Sequence, residues 1–203
     1  MNIGLVPISA KPYHKGHHYL IAEASKNNDV VLVFVSTSDR LREGEFPIYG
    51  DDMKKVWFEE IESIVPDNVR IDYGGSPVRK VYETISGACQ DLDDNVYTIY
   101  SDCEDTKVNY PLPYREKYMQ PLFGLNQIKF ASEENPDSFS RGVGAPDISA
   151  TEIRSYLDSG DFEKFADLIP DGINKMNVYE ILTKAKKRED SDLRNFVKMA
   201  LKF

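Results

Sequence analysis

Val30-Val31-Leu32-Val33-Phe34-Val35 is the stretch that decides the fold of this chain. It is continuous, apolar and rich in β-branched residues, which fit the pleated surface of a strand. A strand with one face in water alternates apolar and polar residues, whereas a parallel strand buried on both faces is an unbroken apolar run. The stretch therefore predicts a central parallel strand, with helices packed on both sides of its sheet.

Outward from this strand, strand-like and helix-like patterns alternate along the chain. Strands are predicted at residues 3–8, 30–35, 69–73, 96–100 and 127–131. Between the strands, helices are predicted at residues 16–26, at 77–90 and around 115–119, and another is predicted to run from a cap at Asp51 or Asp52 to residue 65. After the last strand, helices are predicted at residues 149–157, 162–168, 173–187 and 193–203. Pro7 is expected to belong already to the loop after the first strand, because proline cannot donate to a sheet ladder. Residues 132–147 are expected to form a long loop.

This order of elements predicts the architecture. Strands that alternate with helices are typical of parallel sheets covered on both faces. We predict an α/β fold, with a doubly wound, mostly parallel, five-stranded Rossmann-like sheet and a helical C-terminal subdomain. Residues 1–147 would form the Rossmann-like core, and residues 148–203 the C-terminal helical part of the same domain.

Composition limits the classes of partner. The chain has 203 residues and a formal net charge of −9, so it repels a polyanion at long range and no nucleic-acid partner is expected. No segment approaches the roughly 20 apolar residues that span a bilayer, so no membrane partner is expected. Cys89 and Cys103 are too few for a disulfide framework and match no metal-ligand spacing. A cytoplasmic location is the resulting expectation.

The three histidines of the chain, His14, His17 and His18, stand together between the first strand and the first helix. Gly16 lets backbone come close to a ligand, and a helix start presents unpaired N–H groups and a positive dipole end. These features predict a phosphate site. Zinc binding by His14 and His18 is an alternative, although no glutamate lies between them and no histidine stands elsewhere. Surface histidines without a role are a second alternative.

A second polar group stands at another predicted helix start, in Ser149-Ala150-Thr151-Glu152-Ile153-Arg154. Ser149 and Glu152 match a capping box, which needs no ligand. Thr151 and Arg154 lie one turn apart, so that a hydroxyl, a guanidinium and a helix N-terminus could together hold two phosphates. These residues alone do not decide between a helix cap and a phosphate-binding site.

Taken together, the two groups resemble a known pair of motifs. His14-Lys15-Gly16-His17 resembles the HxGH signature of the nucleotidyltransferase superfamily, and residues 148–154 resemble its ISxTxxR element. That superfamily includes nicotinamide-mononucleotide adenylyltransferases, phosphopantetheine adenylyltransferases and glycerol-phosphate cytidylyltransferases. The chain is also similar to small phage-encoded nucleotidyltransferases.

The resemblance implies in-line attack by a substrate phosphate on the α-phosphorus of a nucleoside triphosphate, with release of pyrophosphate. His14 and His17 would donate hydrogen bonds to the transferring phosphate and the leaving group, while Lys15 and Arg154 add positive charge. Mg²⁺ would be bound mainly through the phosphates of ATP or CTP, without a metal site made of protein ligands. The residues to which the resemblance assigns substrate binding are Ser9 for the substrate phosphate, Gly16, Ser149 and Thr151 for the nucleotide phosphates, and Ser101 and Asp102 for the base.

Adenylyl transfer to nicotinamide mononucleotide is the predicted reaction. Cytidylyl transfer to a sugar or polyol phosphate is one alternative, and a non-catalytic nucleotide-binding protein is another. Relatives usually have glycine where Ile8 stands here, and this departure bears on the identity of the acceptor. Because relatives often assemble, the resemblance also allows a homo-oligomer.

Overall fold

The computed structural model describes residues 1–91 and 94–184. Within these residues, five strands form one sheet: β1 (Asn2–Ile8), β2 (Val30–Val35), β3 (Val69–Tyr73), β4 (Val96–Ile99) and β5 (Ile128–Phe130). Their order across the sheet is β3-β2-β1-β4-β5, and each of the four strand pairings is parallel. The strand order reverses at β1, as in a doubly wound sheet. The predicted fold class is confirmed, and the described sheet is parallel throughout rather than mostly parallel.

Helices connect the strands and close the described part of the chain. They are α1 (Lys15–Asn27), α2 (Gly50–Val56), α3 (Pro77–Asp91), α4 (Cys103–Asn109), α5 (Leu112–Tyr118), α6 (Ala131–Glu134), α7 (Pro136–Phe139), α8 (Ala150–Ser159), α9 (Phe162–Leu168) and α10 (175–184). A π-helical turn, Trp57–Ile61, continues α2. Among the described helices, none combines the length and the apolar character that a membrane crossing requires.

The side chains of β2 are buried on both faces of the sheet, as their sequence predicts. Val31, Val33 and Val35 belong to a hydrophobic cluster that also contains residues of α1 and α2. Phe34 points to the opposite face, because side chains alternate along a strand. There it packs in a second cluster with Ile85 of α3.

Helices α8, α9 and α10 pack into the same cluster as α1. Ile153 and Leu157 of α8, Phe165 of α9 and Ile181 of α10 are members of it. This packing brings the N-terminus of α8 to the loop between β1 and α1, so the two sequence motifs meet in space. The boundary at residue 147 between core and C-terminal part stays a prediction.

The end of β1 differs from the prediction, because the strand includes Pro7 and runs to Ile8. Backbone groups alternate sides along a strand, so Pro7 faces the β4 side, like Leu5. The Tyr100 N–H donates to the Leu5 carbonyl at 2.9 Å, just after β4 has ended. The N–H that proline lacks would therefore have no strand partner on that side, and Ile8 stays in register with Val35 of β2.

The helix predicted after residue 50 also differs in its cap and its end. Asp51 and Asp52 lie in the first turn of α2 and do not cap it. Instead, a side chain of the preceding loop satisfies the helix start, since the Gly50 N–H donates to Oδ1 of Asp39 at 2.7 Å. Helical structure ends with the π-helical turn at Ile61, short of the predicted residue 65.

Short helices were not foreseen by the sequence patterns. The predicted loop at residues 132–147 contains most of α6 and all of α7, and α4 follows β4 where no helix was predicted. The carboxylate of Asp102 caps α4 by accepting the Asp105 N–H at 2.8 Å. Helices of one or two turns are too short to show a period in the sequence. The predicted helix at residues 193–203 and the end of the one at 173–187 lie outside the described residues.

Candidate active site

Residues 9–14 connect β1 to α1, and we call them the histidine loop. This loop places His14 at the N-cap of α1. The Gly16 N–H donates to Nδ1 of His14 at 3.1 Å. Because Nδ1 accepts this bond, the neutral ring carries its proton on Nε2, which can donate to a ligand. A Cβ on Gly16 would lie 2.9 Å from Cε1 of His14. Glycine is therefore what allows the ring to fold over the helix start.

His17 follows one turn later and stacks on His14, with ring centroids 3.8 Å apart. Burial lowers the pKa of His14 to about 4, and the charge of Arg141 adds to the shift. Burial, followed by the charges of His14 and Arg141, also lowers the pKa of His17 well below its usual value. Both rings are therefore neutral at neutral pH. They can act as hydrogen-bond donors, but they do not supply positive charge.

The histidines do not converge on a common point as metal ligands would. Nδ1 of His14 is used by the helix cap, and Nδ1 of His18 lies 3.1 Å from the hydroxyl of Tyr13. In residues 1–91 and 94–184, no group of three or more His, Cys, Asp or Glu side chains could hold a metal ion. His14 is only 6% exposed, so it is not a surface histidine.

Arg154 of α8 joins the two motifs. Its side chain is buried, and its Nη1 donates to the backbone carbonyl of Lys11 at 2.7 Å. Its Nη2 donates to Oγ1 of Thr151 at 2.9 Å and lies 3.0 Å from Oε2 of Glu45. The guanidinium thus binds the histidine loop, its own helix and the loop after β2 at once.

The N-terminus of α8 carries half of the capping box. The Glu152 N–H donates to Oγ of Ser149 at 3.1 Å, as a cap requires. The carboxylate of Glu152 does not return to the backbone of Ser149; it accepts the hydroxyl of Tyr156 at 2.9 Å. Ser149 therefore acts as the helix cap that its motif predicts. The N-terminus of α8 still faces the histidine loop.

Lys11 is a buried lysine that the sequence interpretation did not single out. It is 6% exposed, and its Nζ donates to the backbone carbonyl of Ser36 at the end of β2, at 3.0 Å. Burial lowers the pKa of its ammonium to about 8, against the raising effect of the Asp39 charge. The one sequence signal was its place, directly before Pro12 in the loop that follows β1.

Two cavities open on either side of the histidine loop. The first has a volume of about 350 Å³ and is lined by His14, His17 and the loops after β3 and β4. The second has a volume of about 360 Å³ and is lined mainly by the loop after β2, together with Lys11 and Arg154. Both cavities include Ser9, His17 and Ala150 in their walls. The two cavities therefore adjoin each other at the place where the histidine motif and the α8 motif come together.

Most of the predicted binding residues lie around the first cavity. Its walls include Ser9, Gly16, Ser101 and Asp102. The Ser101 hydroxyl is already in a buried hydrogen bond of 2.7 Å with Thr106. The carboxylate of Asp102 caps α4 and accepts Nε of Arg141 at 3.0 Å, so this arginine is a further cation of the cavity wall.

Lys15 is one of three predicted site residues, with Ser149 and Thr151, that line neither cavity. Its Nζ donates to the backbone carbonyl of Asp167 in α9 at 2.7 Å. Its side chain ties α1 to the closing helices and does not line the space around the histidines. Lys11, four residues earlier, lines the second cavity in its place.

Comparison with protein families finds a match on the segment that contains the histidine loop. Residues 3–47 match the model of the citrate lyase ligase C-terminal domain family. They comprise nearly all of β1, the histidine loop, α1, β2 and most of the loop after β2. Since this is a minor part of the chain, the match does not establish membership. Among curated proteins, none matches the sequence.

Among solved structures, that of Thermotoga maritima TmcAL bound with alpha-thio ATP is similar to this chain. The sequence identity is 16% and the TM-score is 0.45. The match covers 92% of this chain and 56% of the TmcAL chain, so this chain spans little more than half of that protein's length.

Proposed function

We propose that this chain is a nucleotidyltransferase, which transfers a nucleoside monophosphate from a nucleoside triphosphate to a small phosphorylated acceptor and releases pyrophosphate. One observation carries the proposal: the HxGH-like and ISxTxxR-like motifs are joined through the bond from Arg154 to the Lys11 carbonyl. A histidine cap in the first cavity and a buried guanidinium in the second thereby lie on either side of the wall that Ser9, His17 and Ala150 share. The family-model match supports the proposal, because it falls on the segment that holds the histidine loop.

The reaction needs alignment and stabilisation of negative charge, not a protein nucleophile. An oxygen of the acceptor phosphate attacks the α-phosphorus, the new P–O bond forms, and the bond to the β-phosphate oxygen breaks. Pyrophosphate leaves with the electron pair, and no proton has to be transferred. The Nε2–H of His14 and the ring of His17 would donate to phosphate oxygens, while Arg154 would supply fixed positive charge.

Mg²⁺ fits this site as an ion bound mainly through the nucleotide phosphates. Two carboxylates, Asp102 and Asp105, line the first cavity, and the described residues contain no group of three or more His, Cys, Asp or Glu side chains that could hold a metal ion. Mg²⁺ keeps few protein ligands in many nucleotide sites and relies on phosphate oxygens and water. When bound, it would neutralise charge on the triphosphate.

Adenylyl transfer from ATP to nicotinamide mononucleotide is the reaction that we propose first, with cytidylyl transfer to a sugar or polyol phosphate as the alternative. Two cavities that share Ser9 and His17 suit a reaction between two substrates, one in each cavity. A homo-oligomer and a cytoplasmic location stay predictions from the sequence.

The test is a transfer assay with the full chain. ATP or CTP, Mg²⁺ and a panel of phosphorylated acceptors are incubated with the protein, and pyrophosphate is measured. We expect release with ATP and nicotinamide mononucleotide. His17→Ala should lower turnover by about 10²–10³, the usual effect of removing one donor to a transition-state charge. His18→Ala is the matched control, because His18 lines neither cavity.

Two outcomes of this assay would contradict the proposal. The first is a folded protein that releases no pyrophosphate with any pair of substrates. The second is triphosphate binding without turnover, which would favour the non-catalytic nucleotide-binding protein.

A further inference from the structure

The guanidinium groups around the two cavities mostly have carboxylate partners. Arg141 is paired with Asp102, with Nε 3.0 Å from the carboxylate. Arg40 and Arg154 share the carboxylate of Glu45, each with a nitrogen 3.0 Å from Oε2. Their positive charges are therefore largely balanced by the protein itself.

Lys11 differs from these arginines. The partner of its ammonium is a neutral group, the Ser36 carbonyl, although the ammonium has three N–H donors. In the described part of the chain, no carboxylate forms an ion pair with it. Asp39 lines the same cavity, but its Oδ1 accepts the N–H of Gly50. A charge that is 94% removed from solvent, with no carboxylate in contact and only the nearby charge of Asp39 to favour it, is unfavourable unless an anion joins it.

The place of Lys11 shows which anion would fit. Lys11 lines the second cavity together with Arg40, Arg42 and Arg154, and its carbonyl accepts a hydrogen bond from Arg154. Four cations stand against two carboxylates, Asp39 in the cavity wall and Glu45 bound to Arg40 and Arg154, and this excess of positive charge suits an anionic ligand. The same cavity reaches His17, where the transfer would occur.

We propose that Lys11 is a further substrate-contacting residue, whose ammonium binds the polyphosphate chain of the nucleotide next to Arg154. The proposal rests on the proposed function, because it places the triphosphate in the second cavity. It assigns to Lys11 the role that the motif resemblance gave to Lys15, whose ammonium is bound to the Asp167 carbonyl instead.

A pH dependence follows, since only the protonated amine attracts phosphate. The pKa of Lys11 is lowered by burial to about 8. The other titratable or charged groups of the cavity are His17 from α1, Arg154 from α8, and Asp39, Arg40 and Arg42 from the loop after β2. Arginines stay charged and His17 stays neutral across the alkaline range, so Lys11 is the group there that changes charge. Affinity for polyphosphate should fall as the pH rises above about 8.

The test is calorimetric titration of the full chain with inorganic tripolyphosphate, from about pH 7 to about pH 9.5, across the lowered pKa of Lys11. Lys11→Met should weaken binding by at least about tenfold at the lower pH, the effect of one charge-assisted hydrogen bond. Lys11→Arg should bind as wild type there and keep its affinity at the higher pH, where wild type loses about tenfold. Lys26→Met is the matched control, because Lys26 is an exposed lysine at the far end of α1.

Unchanged affinity of Lys11→Met at neutral pH would overturn the proposal, as would equal pH profiles of wild type and Lys11→Arg. If Lys11→Met does not fold, the comparison of wild type with Lys11→Arg is sufficient for the test. Tripolyphosphate titrates in the same way with both proteins, so this comparison also separates the titration of Lys11 from that of the ligand. This test needs no acceptor. A wild type that binds tripolyphosphate through Lys11 but transfers nothing contradicts the proposed function only.

Discussion

At the scale of single residues, the histidines of this site are donors with a fixed direction. The cap bond from the Gly16 N–H leaves Nε2 of His14 as its donor, and burial keeps both His14 and His17 neutral. Positive charge must therefore come from lysine and arginine. In the proposed site, the histidines would donate hydrogen bonds to phosphate oxygens and the buried cations would balance the phosphate charge. Neither group alone would do both.

We assign two roles to His14, the observed helix cap and the proposed phosphate donor, and two substitutions separate them. His14→Ala removes both the helix cap and the donor, so it should lower stability by about 1 kcal/mol and turnover by about 10²–10³. His14→Ser restores a good cap to α1, because a serine hydroxyl accepts the same backbone N–H. It is too short to reach the phosphate. We expect its melting temperature to approach that of wild type while turnover stays low; thermal unfolding and the transfer assay measure the two effects.

Recovery of turnover in His14→Ser would contradict this division of roles. It would mean that His14 acts only by holding the start of α1. A melting temperature as low as that of His14→Ala would instead mean that the cap bond of 3.1 Å contributes little to stability.

At the scale of elements, the loop after β2 supplies an internal competitor for phosphate in the proposed nucleotide site. Glu45 lies where it balances Arg40 and Arg154 together. A triphosphate that reaches Arg154 has to share or displace this carboxylate. The loop therefore keeps the buried arginine paired when no nucleotide is bound, and this pairing opposes nucleotide binding.

Glu45→Gln tests this competition. Removing the negative charge should strengthen tripolyphosphate binding severalfold, because Arg154 no longer gives up a partner on binding. The same change should lower the melting temperature of the unliganded protein, since a buried guanidinium loses its counter-ion. Calorimetric titration and thermal unfolding are the measurements, with Glu43→Gln as the control at an exposed carboxylate of the same loop. Unchanged or weaker binding in Glu45→Gln alone would show that Glu45 does not compete with phosphate.

Element prediction succeeded where the sequence pattern was local and clear. The run at residues 30–35 gave β2 with its bounds, and residues 162–168 gave α9. It failed for α4, α6 and α7, which have four to seven residues and depend on contacts such as the Asp102 cap. It also failed at Pro7, where the outcome depended on where a neighbouring strand ends. No local pattern contains that information.

At the scale of the whole molecule, the fold turns two distant sequence motifs into one site. β1 is the central strand of the sheet, so the histidine loop begins at the middle of the sheet. Helix α8 packs into the same hydrophobic cluster as β1 and α1, and this packing brings Arg154 to the Lys11 carbonyl. The sequence predicted that both motifs bind phosphate. It could not separate Lys11 from Lys15, because the direction of each side chain is set by tertiary partners, the Ser36 and Asp167 carbonyls.

The fate of the α-phosphorus is the most direct test of nucleotidyl transfer by this assembled site. Full-length protein is incubated with Mg²⁺, nicotinamide mononucleotide and ATP that carries a label either on the α- or on the γ-phosphate. We predict that the α-label appears in a dinucleotide product and the γ-label in pyrophosphate, with both signals lost in His17→Ala. A γ-label found in inorganic phosphate or on an acceptor, with no α-label in any product, would contradict nucleotidyl transfer.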